Sequence, residues 1–209
     1  MMHEDQYAEL HKHVEAEHFM GMSLAIKREW SVDDVWALPD DPAHKYEVVD
    51  GELLVSPSPR AVHQDAVSEL GMLLRLYARN CGVGKALVAP FDVVFDYRGM
   101  TQPDVMVFGN VTREEMDRGA KERPLPMLMI EVLSPSTSMH DRYVKRGRYQ
   151  RAGVECWIVD IEARLFEIWS PTASVPEILE AELIWHPVAA AMPFRLNLAE
   201  FFREVSGER

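Results

Sequence analysis

Apolar residues recur along this chain in two periods, and the switches between them set the order of its elements. Val62, Ala66, Leu70, Leu73, Leu74 and Tyr77 follow i, i+3, i+4 spacing. They predict a long amphipathic helix from Ala61 to Asn80, closed by Gly82 and Gly84. Tyr46-Glu-Val-Val49 and Glu52-Leu-Leu-Val55 are parted by Asp50-Gly51, which predicts a β-hairpin, because Asp-Gly suits the tight turn between twisted strands. Strand-like runs follow at Lys85 to Asp96, with a kink at Pro90, and at Thr101–Phe108 and Met127–Leu133. Val154–Ile161 and Leu165–Ser170 read as a further pair joined through Glu162-Ala-Arg164. Ser31 opens a short helix, Asp141 is a fair cap for a helix running to Ala152, and Phe194–Phe202 reads as a final helix. Hairpin, helix, three strands, helix and two strands predict an α/β fold: one mixed sheet with helices packed on its faces.

Met127-Leu-Met-Ile-Glu-Val-Leu133 is apolar enough to be a strand buried on both faces, yet Glu131 stands in its middle. An ionised carboxylate costs several kcal/mol to bury unless a cation or donors meet it. Asp104 lies in a second short apolar run, Thr101-Gln-Pro-Asp-Val-Met-Val-Phe108. Two carboxylates on neighbouring buried strands make a metal site the first hypothesis. The bland alternatives are a buried ion pair of Glu131 with Lys145 or Arg142, and an Asp104 satisfied by backbone or by an arginine.

The formal net charge of −12 argues against a protein that coats itself in nucleic acid, but not against a local phosphate-binding surface. Arg142, Lys145, Arg146, Arg148 and Arg151 form such a segment with no acid among them; a solvated helix face is the plain alternative. Cys81 and Cys156 lack metal-ligand spacing and read as ordinary thiols. No apolar run approaches the ~20 residues that span a bilayer, and the acidic N-terminus lacks the features of a signal peptide. The expected compartment is the cytoplasm. Residues 1–21 read as a helical or disordered appendage, with Met22 as an alternative start and 22–209 as one domain.

Five stretches together resemble a known family. They are Tyr46-Glu-Val-Val-Asp-Gly-Glu52, Arg60-Ala-Val-His-Gln64, Gln102-Pro-Asp104, Ile130-Glu-Val-Leu-Ser-Pro-Ser-Thr137, and Asp141 through Lys145 and Tyr149 to Trp157-Ile-Val-Asp160. In order and spacing they are similar to the PD-(D/E)XK nuclease superfamily, and more closely to its Uma-type, restriction-endonuclease-like branch, over about residues 30 to 170. The resemblance implies a restriction-endonuclease-like core and metal-dependent hydrolysis of phosphodiesters. It implies that Asp104 and Glu131 hold magnesium or manganese, with the backbone carbonyl of Val132 as a third ligand. The superfamily's lysine position is Leu133 here, and the resemblance transfers the role to Lys145 on the following helix. There an ammonium would orient or help deprotonate the attacking water. Glu52 would add a carboxylate, and His63 would contact phosphate or metal.

These readings predict a magnesium-dependent endonuclease acting on DNA, with RNA as an alternative substrate. Arg142, Arg146, Arg148 and Arg151 would meet the phosphate backbone, and a homodimer is expected. Trp157 and Trp169 read as core or interface, and the C-terminal strands around Trp169 and Trp185 as interface surface. The rival reading is a non-catalytic nucleic-acid-binding or regulatory module that kept the fold and lost the chemistry. A metal-dependent phosphoesterase with a small substrate is a third.

Overall fold

The computed structural model describes residues 29–135, 137–188 and 190–208. The predicted N-terminal appendage, and with it Met22, lies outside these residues. Helix α1 (Val32–Trp36) begins at Ser31, whose side chain and that of Asp34 cap each other's backbone N–H groups. Strands β1 (His44–Val49) and β2 (Glu52–Pro57) form the hairpin in the expected register, with Val49 opposite Glu52. Its turn needs positive φ at both central residues: Asp50 takes 53° and Gly51 takes 85°. Helix α2 (Ala61–Asn80) has the predicted bounds, and Ala66, Leu70 and Leu74 form its fully buried stripe.

The expected mixed central sheet is present, but four of the strands pair apart from it. A four-stranded sheet has the order β2-β1-β5-β4, with β4 (Val93–Asp96) and β5 (Gly99–Thr101). A six-stranded mixed sheet has the order β10-β9-β8-β7-β6-β3. Its strands are β3 (Lys85–Val88), β6 (Val105–Phe108), β7 (Leu128–Val132), β8 (Glu155–Asp160), β9 (Leu165–Trp169) and β10 (Glu177–Leu179), with the short helix α3 (Arg113–Met116) between β6 and β7. Strand β7 is antiparallel to β6 and parallel to β8. A separate ribbon pairs β11 (Glu182–Trp185) with β12 (Phe194–Asn197).

The division occurs where two predicted strands break. The Lys85–Asp96 run changes sheet around the cis Ala89–Pro90 bond. The Thr101–Phe108 run breaks at Gln102-Pro-Asp104: the Gln102 N–H donates to the Glu47 side chain, and Pro103 has no N–H to offer a ladder. The predicted final helix also splits. Residues 194–197 alternate buried and exposed as a strand should, and Asn197 then caps α5 (Leu198–Val205).

Strand β7 is buried on both faces, as its sequence predicts. Leu128, Ile130 and Val132 join the core under α2, where Phe201 and Phe202 of α5 pack on Phe166. Met129 faces the opposite cluster, with Met106, Phe108, Cys156, Ile158 and Tyr149. Trp157 and Trp185 are both buried and cross edge-to-face, so Trp185 is core rather than interface surface. Both cysteines are free and buried.

The helix after β7 starts earlier than predicted. A π-helical turn, His140–Lys145, runs into α4 (Arg146–Arg151). Asp141 therefore lies inside the first turn, buried, and pairs with Lys145 instead of capping the helix.

Candidate active site

Alternation along β7 places Glu131 on the Met129 face, toward the π-helical turn and α4. Glu131 is 1% exposed, and its carboxylate meets two groups from that segment. Oε1 accepts from the Tyr149 hydroxyl at 2.5 Å, and Oε2 faces Lys145 Nζ at 3.4 Å. A phenol has one proton; given to Glu131, it leaves the Tyr149 oxygen to accept from Thr101 Oγ1, 3.1 Å away.

Lys145 is buried among three carboxylates: Glu47 Oε2 at 2.8 Å, Asp141 Oδ1 at 3.0 Å and Glu131. Burial alone would lower its pKa, but Asp141, Glu131 and Glu47 outweigh burial and raise it well above the ordinary value. An ammonium held so firmly stays charged at neutral pH. Deprotonation of a water by Lys145, one of its two expected roles, does not fit this setting; orientation and charge stabilisation do.

Glu47, in β1, is the carboxylate that sequence reasoning missed. It is fully buried, accepts from Gln102 N at 2.7 Å, and lies 3.6 Å from Lys45 Nζ. Burial raises its pKa, but Lys145 and Lys45 more than offset that and hold it below the ordinary value. Glu52, expected in this role, opens β2 beside the hairpin turn, is exposed, and does not line the cavity. The missed signal is the one that picked out Glu131: a lone acid in an otherwise apolar strand, Tyr46-Glu-Val-Val49.

Asp104 enters from the break before β6. Its Oδ2 accepts the backbone N–H of Val132 at 2.8 Å, and His63 Nε2 approaches it to 3.2 Å. Burial raises its pKa, but His63 and Lys45 bring it below the ordinary value. The Val132 N–H thus ties Asp104 to the residue next to Glu131. On Glu131 the balance runs the other way: burial first, then Asp141 and Asp104, push the carboxyl up to about 8 despite Lys145.

Asp104, Glu131, Val132, His63, Lys45, Arg60, Asp141 and Lys145 line one cavity of about 780 Å³. Glu47, Asp104, Glu131 and Asp141 are four acids facing two ammonium groups, Lys45 and Lys145. With Glu131 raised to about 8 and so protonated at neutral pH, the other three acids still outnumber the two ammonium groups, and that excess of negative charge suits a hard divalent cation. Among the described residues, no three acidic, imidazole or thiol side chains already converge as a metal cage. Magnesium does not require one, since it keeps several waters and is often held by one or two carboxylates.

The four arginines expected to bind phosphate are engaged elsewhere. Arg142 pairs with Asp160 at 2.7 Å and Glu167 at 2.8 Å. Arg146 donates to Gln150 and stacks 4.2 Å from the centre of the Trp169 ring. Arg148 pairs with Asp96 at 2.5 Å and covers Phe95, and Arg151 pairs with Asp50. None of the four lines the cavity. Their acids lie far off in sequence, which is why the segment 142–151 alone reads as an unbalanced basic surface.

Residues 32–198 match the model of the Uma2 family, described as "Putative restriction endonuclease". The chain belongs to this family. A solved structure, "a putative nuclease belonging to DUF820 from Anabaena variabilis ATCC 29413", is similar in fold, with a TM-score of 0.68 at 19% identity. The match covers 84% of this chain and 99% of that one. Comparison with curated proteins returned no match. The Uma2 match spans every carboxylate that lines the cavity, from Asp40 to Asp141.

Proposed function

We propose that this Uma2-family chain is a metal-dependent nuclease that hydrolyses DNA phosphodiester bonds with an activated water. One observation carries the reading: Asp104 and Glu131, from adjacent elements joined through the Val132 N–H, line a single cavity with a buried, ion-paired lysine behind them. Asp104 and Glu131, with the Val132 carbonyl, are the residues that would hold magnesium or manganese. When bound, such a cation lowers the pKa of a coordinated water and screens charge developing on the phosphate. His63 positions Asp104 through its Nε2 contact. Tyr149 and Thr101 fix the rotamer of Glu131. Lys145 pairs with Glu47 and Asp141 and holds its ammonium beside Glu131, where it would steady the transition state. Among the described residues no helix is long and apolar enough to cross a membrane, and the cytoplasm is the compartment we infer.

Cleavage of plasmid and of single-stranded DNA tests the reading, with magnesium, manganese or EDTA, beside Asp104→Asn and Glu131→Gln. The expected result is metal-dependent cleavage, abolished in both variants while their thermal melts remain cooperative. Cleavage retained in Asp104→Asn would sink the site assignment. Absence of cleavage under every metal and on every nucleic acid would favour the non-catalytic binding module.

A further inference from the structure

Trp36 is an aromatic group on the cavity wall with no part in the chemistry above. It ends α1, is 43% exposed, and lines the same cavity as Asp104 and Glu131. Its ring is held. Nε1–H donates to Asp92 Oδ2 at 2.9 Å, and the Lys121 ammonium lies over the ring, 5.3 Å from its centre. Lys121, which does not line the cavity, is anchored in turn to Asp33 at 2.7 Å. An indole pinned at its edge and backed by a cation is a rigid plate. Leu38, Pro39, Pro90 and Met100 continue the wall around it as apolar surface.

The supply of cations points the same way. A duplex-binding protein typically neutralises about six to ten phosphates with lysines and arginines. Here the arginines of the π-helical turn and α4 are bound to acids or aromatic rings of the same chain. The cations that line the cavity are Lys45, Arg60 and the buried Lys145. A cavity of about 780 Å³ falls in the range of about 300–1,000 Å³ that encloses small ligands, not a helical rod. Base faces, unlike base edges, are exposed only where a strand is unpaired, and an aromatic plate recognises a face.

We propose that the substrate is single-stranded nucleic acid, one base of which stacks on Trp36 while the adjoining phosphate lies toward Lys45 and Arg60. The proposal rests on the nuclease reading of the cavity and specifies the substrate that reading leaves open.

The test uses full-length Asp104→Asn protein, so that binding is measured without cleavage. Fluorescence anisotropy compares a labelled single-stranded oligonucleotide with a blunt hairpin duplex that contains the same sequence. The single strand should bind about ten-fold or more tightly than the duplex. Adding Trp36→Ala should weaken single-strand binding on the order of 10- to 100-fold, and Trp36→Phe, which keeps an aromatic face, should recover most of the loss. The Phe variant also guards against misreading a folding defect in the Ala variant. Duplex bound as tightly as single strand, or unchanged binding in Trp36→Ala, would overturn the proposal while leaving metal-dependent cleavage, and hence the nuclease reading, intact. Failure of the wild type to bind or cut any nucleic acid would remove the nuclease reading and this proposal together.

Discussion

Lys145 shows how one buried side chain can hold a site and a fold at once. It is 2% exposed and faces three carboxylates, so its removal would strip Asp141 and Glu131 of their ion-pair partner and leave Glu47 with Lys45 alone, 3.6 Å away. Breaking a buried ion pair by removing one partner costs about 3–5 kcal/mol. Lys145→Met should therefore lose stability of that order at neutral pH, read by urea denaturation. The sign with pH follows from Glu47, whose folded pKa lies below its ordinary 4.5. Its stabilising contribution is present above 4.5 and is lost as pH falls through the folded value. The gap between wild type and Lys145→Met should be widest near neutrality and narrow on acidification; a gap that widens in acid would refute the account. Tyr149→Phe is a milder probe. It strips Glu131 Oε1 and Thr101 of their shared partner and should cost about 1–3 kcal/mol, the penalty of an unsatisfied buried polar group. It should also weaken metal binding by loosening the Glu131 rotamer, which calorimetric titration of magnesium would report.

At the scale of elements, the π-helical turn and α4 carry the clearest disagreement between sequence and structure. Arg148 contacts Asp96 and Asp50 from the two turns of the smaller sheet, and Arg142 clamps β8 to β9 through Asp160 and Glu167. These pairs fasten the segment that delivers Lys145 and Tyr149. Arg148→Gln should lower the melting temperature while leaving the salt dependence of nucleic-acid binding unchanged. A phosphate-contacting arginine would instead reduce that slope by about one on replacement. Asp160 contributes with a definite sign: burial is outweighed by the Ala163 N–H and by Arg142, so its pKa is lowered and its support fades only in acid. The hairpin, α2 and β7 were legible because local periodicity and one Asp-Gly turn decide them. Asp104 and Glu131 were legible because a lone acid in an apolar run needs a partner, whereas Lys145 and His63 interrupt no apolar run and were suggested only by the family resemblance. The ion pairs of the π-helical turn and α4 were not, because each acid lies at least 18 residues away along the chain in a different strand or turn. Glu47 was overlooked in favour of Glu52 because the motif holds both, and only the cross-sheet contact of β1 with Gln102 separates them.

On the scale of the whole molecule, a formal charge of −12 opposes any polyanion, so attraction must be local. Asp104, Glu131 and Asp141 line the cavity together with Lys45, which already faces the buried Glu47, and with Arg60. A strand bound there would release counterions from only about two or three phosphates. For single strands the logarithmic dependence of affinity on salt scales as about −0.7 per neutralised phosphate, which gives an expected slope of roughly −2 or shallower. Measurement of the binding constant of the Asp104→Asn protein over a range of sodium chloride tests this directly. Arg60→Gln should flatten the slope further by about one phosphate's share, whereas Arg151→Gln, whose partner is Asp50, should leave it where it was. A steep slope that Arg60→Gln leaves unaffected and Arg151→Gln reduces would return the phosphate-binding role to the helix where the sequence first placed it, and would mean that its intramolecular ion pairs exchange for phosphate on binding.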